Sequence, residues 1–91
     1  MTIGVWLPTP LRKYSDEQET VEIKGETVGE VLENLSKQHP DLRRRLFSED
    51  GNVRRFINIF ANDEDIRFQD NLETKLTEGA ELRIIPAIAG G

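Results

Sequence analysis

The sequence predicts an α+β domain in which one main helix crosses a mixed sheet of four to five strands, and three observations carry that expectation. Runs with the two-residue alternation of half-buried strands stand near the start, past the middle and at the end of the chain. One longer segment has the apolar spacing of a helix, and the stretches between are rich in Pro, Gly and acidic residues.

Ile3, Val5 and Leu7 alternate with Gly4 and Trp6, giving a first strand that Pro8 and Pro10 end. Val21 and Ile23 alternate with Glu22 and Lys24 in a second strand closed by Gly25, and the polar stretch 11–20 reads as a hairpin connection. Thr27 stands three residues before Glu30, a capping-box spacing that starts a helix. Val28, Val31, Leu32 and Leu35 form its apolar stripe, with Glu30, Glu33, Asn34 and Lys37 largely off it. His39-Pro40 stops it, because the residue before proline is pushed away from helical angles.

Leu42, Leu46 and Phe47 then suggest a helical turn against the core, and 48–52 a turn. The clearest later strand is 56–62, followed by a solvated acidic turn, Asp63-Glu64-Asp65. Ile66, Phe68, Leu72 and Leu76 make a short return, Glu78-Gly79 a turn, and 82–86 the last strand, with Leu82 and Ile84 facing inward. A helix between the second and third strands must cross the sheet, and a right-handed crossover makes the first and last strands parallel neighbours in its centre. This is the β-grasp order.

With 91 residues, 36 % apolar and 32 % charged, one small core is all that fits, and an enclosed catalytic cleft is not favoured. The organisation expected is one domain over 1–86 and a C-terminal tail over 87–91. The absence of cysteine excludes disulfides and thiolate-held clusters. A net charge of -5 opposes general binding to phosphate backbones or anionic lipid, so neither nucleic acid nor membrane is an expected partner. No run approaches the ~20 apolar residues of a membrane span, and a cytoplasmic location is expected.

His39 is the only histidine and has no second nitrogen or sulfur ligand for a metal, so a place at the helix end is its expected role. Asp63-Glu64-Asp65 lacks the spacing of a calcium loop, and Arg43-Arg44-Arg45 reads as a solvated helical face. Ser15, Ser36 and Ser48 lack the flanking pattern of an activated nucleophile, and no phosphate-binding glycine loop is present, so this chain is expected to bind no cofactor. Trp6 and Ile85 fall on the outward phase of strands expected to be neighbours. They suggest one exposed apolar patch for a partner, extended by Phe56 or Phe60, whose phase the alternation leaves open.

The tail Ala87-Ile88-Ala89-Gly90-Gly91 is different in kind. Five residues at ~3.3–3.6 Å each extend roughly 17 Å, enough to carry a terminal carboxylate into a partner's buried site. Gly90 and Gly91 have no Cβ, so a narrow channel can admit them.

With this ending and this strand order, nearly the whole chain resembles the MoaD and ThiS family of ubiquitin-like sulfur carriers. The segment from Phe56 to Phe68 and the ending from Ile85 to Gly91 resemble the branch that serves cysteine biosynthesis. The resemblance implies a co-substrate rather than an enzyme: an E1-like partner uses ATP to adenylate the Gly91 carboxylate, and a sulfur donor converts it to a thiocarboxylate. In that branch the sulfur attacks an aminoacrylate held on pyridoxal phosphate in a cysteine synthase, and a JAMM-type metalloprotease releases the product. By the same resemblance Gly91 bears the sulfur, Gly90 occupies the channel, and Ala87, Ile88 and Ala89 form the inserted tail. Two other roles stay open, the small subunit that feeds the large subunit of molybdopterin synthase and a modifier joined covalently to protein lysines.

Overall fold

The computed structural model describes residues 2–86; Met1 and 87–91 lie outside them. The expected tail, from Ala87 to Gly91, therefore falls outside the described residues.

Five strands, β1 (Thr2–Trp6), β2 (Thr20–Lys24), β3 (Ile57–Ala61), β4 (Glu64–Asp65) and β5 (Glu81–Pro86), form one sheet in the order β2-β1-β5-β3-β4. β1 and β5 run parallel at its centre, and the other pairs are antiparallel. Alternation places Ile3, Val5, Val21, Ile23, Ile59, Leu82 and Ile84 on one buried face. The phase of β3 is thereby decided: Ile59 and Ala61 point in, and Phe60 lies on the other face.

The helix α1 (Val28–Gln38) lies over that face, burying Val28, Val31, Leu32 and Leu35. Thr27 Oγ1 accepts the Glu30 N–H at 3.1 Å. Glu30 Oε1 reaches back to the N–H of Glu26 at 2.9 Å, one residue beyond the cap itself. Gly25 makes the turn from β2 into α1 fit, since a Cβ there would stand 2.6 Å from Val31 Cγ2 and 2.9 Å from Val31 N.

Three expectations are corrected. His39-Pro40 does end α1, but a second helix, α2 (Pro40–Leu46), starts at once and buries Leu42 and Leu46. Proline fits the first helical turn, where its missing N–H would have no partner. The connection between β1 and β2 is not merely a polar hairpin: a 3₁₀ helix, Thr9–Tyr14, seats Leu11 in the core. The acidic segment after β3 is not a solvated turn either. Asn62 and Asp63 make the turn at φ of 51° and 69°, and Glu64–Asp65 returns as β4 with Asp65 buried.

Candidate functional site

β5 is both a central strand and the last described element before the tail. Its outward residues Glu81, Arg83 and Ile85 run along the exposed face of the sheet to Pro86, the last described residue. Strand register lines up Thr20, Trp6, Arg83, Phe60 and Asp65 in one rung across all five strands. Ile85 lies one outward position nearer the tail, opposite Asn58, and Pro86 lies opposite Ile57.

This face differs from the apolar patch expected of Trp6 and Ile85. Trp6 is half-buried, with the Arg12 guanidinium 5.5 Å from its ring centroid, and Arg83 stands between Trp6 and Phe60. Phe60 is also half-buried, and Ile85 alone of the three is exposed. The structure thus brings Trp6, Phe60 and Ile85 onto one face, but with cations among them. Such a mixture of aromatic, aliphatic and guanidinium groups suits contact with another protein.

Asp65 and Arg67 frame the edge of this face. Arg67 Nη2 donates to Asp65 Oδ2 at 2.7 Å and to Asn58 Oδ1 at 2.9 Å, and the Arg67 N–H donates to Asp65 Oδ1 at 2.9 Å. The side-chain hydrogen bond from Arg67 holds the Asp65 carboxyl below the usual carboxylate range, outweighing the opposing effect of burial. Arg67 is raised in turn, first by that hydrogen bond and then by the Asp65 charge. Arg83 is raised in the same way by Glu81, which accepts from its Nε at 2.9 Å.

The remaining candidates have structural uses. His39 is buried where α1 meets α2, and its backbone N–H caps α1 by donating to the Leu35 carbonyl at 2.8 Å. Ser15 Oγ lies 3.1 Å from the Arg12 carbonyl, and Ser36 Oγ donates to the Leu32 carbonyl at 2.9 Å. Ser48 bonds Asp50 inside the 48–52 turn. Among the described residues no cluster of three or more His, Asp or Glu side chains is placed to hold a metal, and no helix is long and apolar enough to cross a membrane.

Sequence reasoning missed Arg12, Arg83 and the Asp65–Arg67 pair. Arg83 was legible, since it alternates outward between Leu82 and Ile84. Arg12 was not, because its contact with Trp6 depends on the 3₁₀ helix.

Known proteins share this fold and sequence. The model of the ThiS family matches residues 5–91. The sulfur carrier protein CysO of Mycobacterium tuberculosis is 39 % identical over 93 residues, spanning all of both chains. A chain in the crystal structure of the Amycolatopsis orientalis BexX/CysO complex superposes with a TM-score of 0.89 at 40 % identity, covering 98 % of this chain and 99 % of that one. SAMP1 from Haloferax volcanii superposes at 0.86 with 29 % identity over the whole of both chains.

Proposed function

Since the chain belongs to the ThiS family of ubiquitin-like sulfur carriers, we propose that it carries sulfur on its Gly91 carbonyl carbon for cysteine synthesis. One observation carries the reading: the likeness to CysO runs the full length of both chains, and so through Gly90-Gly91. A carboxylate with an ordinary pKa of ~3.3–3.7 is ionised at neutral pH and a poor electrophile. In the proposed cycle a carboxylate oxygen of Gly91 attacks the α-phosphorus of ATP on an E1-like enzyme and pyrophosphate leaves. A sulfur nucleophile then displaces AMP, leaving sulfur on a backbone carbon of a chain that has no thiol.

The cycle gives each part of the protein a role. Ala87 to Gly90 pass through the partner's channel while Trp6, Phe60 and Ile85 rest on its surface. ATP belongs to the adenylating enzyme, and pyridoxal phosphate to the cysteine synthase that receives the sulfur. A metalloprotease of the JAMM type then frees the carrier.

Reconstitution tests the reading. The protein is incubated with an adenylating enzyme, ATP and a sulfur donor, and the loaded form is offered to a cysteine synthase and to the large subunit of molybdopterin synthase. Cysteine formed from the first is the expected result. Sulfur passed only to the molybdopterin precursor would reassign the pathway. The likeness to SAMP1, a small archaeal modifier protein, favours a second reading in which activated Gly91 is joined to lysines of other proteins. Cellular lysines bearing the tryptic remnant Ile84 to Gly91, released after Arg83 and lost when the gene is deleted, would support it.

A further inference from the structure

The exposed charges differ between the two ends of the sheet. At the end where β2 leads into α1 and β5 begins, the exposed side chains of Glu26, Asp63, Glu64, Glu73, Glu78 and Glu81 gather, against Lys24 and Lys75. At the other end, where β5 finishes, exposed arginines stand beside the acidic stretch Asp16, Glu17 and Glu19 that leads into β2 and beside Glu49 and Asp50 of the 48–52 turn. Arg54 and Arg55 stand just before β3, separated from it by Phe56, and the first residue of β3, Ile57, pairs with Pro86. The Arg54 N–H donates to the Leu46 carbonyl at 2.8 Å and its Nε to the Arg44 carbonyl at 2.6 Å, which ties the arginine run of α2 to the same end.

Arg44, Arg45, Arg54 and Arg55 are all exposed, and among the described residues none of them has a carboxylate oxygen within 4.0 Å. Arg43 differs, since Glu33 accepts from it at 2.9 Å. Arg45 is held with its guanidinium carbon 5.0 Å from the Tyr14 ring centroid, and a shallow cavity of about 390 Å³ is lined by Arg43, Arg44 and Arg54 with Phe47 and one carboxylate, Glu49. Phe56, 59 % exposed, sits in the chain between Arg55 and Ile57. Cross-strand pairing places the Cα of Pro86 about 5 Å from that of Ile57, and two residues more bring Arg55 within about 12 Å. Arg55 therefore stands near Pro86, the last described residue.

We propose that Arg44, Arg45, Arg54 and Arg55 form a docking collar that receives an acidic protein surface around the tail entrance of the adenylating enzyme. The proposal rests on the sulfur-carrier reading above and names the chemistry of the partner for that same tail. Four exposed cations with no ion pair among the described residues, on a protein of net charge -5, offer a positive patch to anions from outside the chain. The net charge also disfavours a nucleic acid, whose phosphates the acidic far end would repel. A protein partner with a local acidic rim meets the collar at short range, where screening by salt leaves the acids of the far end with little influence.

The test compares wild type with Arg44→Glu/Arg55→Glu, using the tail-adenylating enzyme of the source organism. Association is followed by stopped flow, and activation by ATP–pyrophosphate exchange. Circular dichroism confirms that each variant, altered only at exposed positions, is folded. The collar predicts association slower by about 10-fold or more at low salt, a difference that shrinks as salt screens it, and an unchanged exchange kcat at saturation. Glu73→Lys/Glu78→Lys, at the far end, should stay within about twofold of wild type. Wild-type rates for Arg44→Glu/Arg55→Glu, with exchange intact, would overturn the collar alone. So would binding of a single-stranded DNA oligonucleotide that the same variant loses while enzyme association is untouched. A wild-type protein that supports no exchange at any salt would remove the carrier reading, and the collar with it.

Discussion

Asp65 shows how one buried carboxylate is made tolerable at the edge of a small sheet. It is nearly covered, yet Arg67 satisfies it through both backbone and side chain, and the Arg67 guanidinium extends on to Asn58 in β3. Because most of the Arg67 side chain is exposed, solvent screening reduces the value of the pair, and its geometric role outweighs its energy. Asp65→Asn should destabilise the domain by about 1–2 kcal/mol in urea melts. The pH dependence has a definite sign. The folded carboxyl titrates below its unfolded value of ~3.9, so its contribution is complete above that value and fades as pH falls through the lowered folded pKa. The gap between wild type and Asp65→Asn should therefore be full near pH 7 and narrow under acid, whereas a gap that widened on acidification would contradict the assignment.

Among the elements, β2 and α1 meet most tightly at Gly25. A methyl group there would collide with Val31 backbone as well as side chain, and backbone at a helix start cannot yield cheaply. Gly25→Ala should cost about 1–3 kcal/mol, read as a lower urea midpoint. An equally stable variant would mean that the β2–α1 turn has slack the structure does not suggest. This contact was invisible in the sequence, where Gly25 reads only as the end of a strand. The strands and α1 were legible because alternation and the i, i+3, i+4 stripe are local patterns. α2 and β4 were harder for opposite reasons. Pro40 punctuates the chain identically whether it ends one helix or begins the next. β4 is two residues long, too short for any periodicity, and only the left-handed tolerance of Asn62 and Asp63 hints at its hairpin.

At the scale of the whole molecule, the small domain presents a mixed aromatic and cationic face whose central strand, β5, ends at Pro86, with Arg55 nearby. Trp6 and Ile85 were legible from phase alone, since they sit opposite the inward positions of their strands, whereas the phase of Phe60 was settled only by the register of β3. The contact of Arg12 with Trp6 was not legible, because it depends on the 3₁₀ helix that follows β1, and the place of Arg83 between Trp6 and Phe60 emerges only once β1, β5 and β3 are seen side by side. If the face docks on partner enzymes, Trp6→Ala and Ile85→Asp should each weaken binding of the adenylating enzyme by about 10-fold or more while the domain stays folded. Unchanged affinity in both would take this face out of the interface. The sharpest test of the carrier reading is the intact mass of the native protein taken from growing cells. The account predicts a fraction in which one terminal oxygen is replaced by sulfur, and its loss when a residue is added after Gly91. A terminus that bears only the free carboxylate under sulfur demand, or a sulfur mass that survives the added residue, would contradict it.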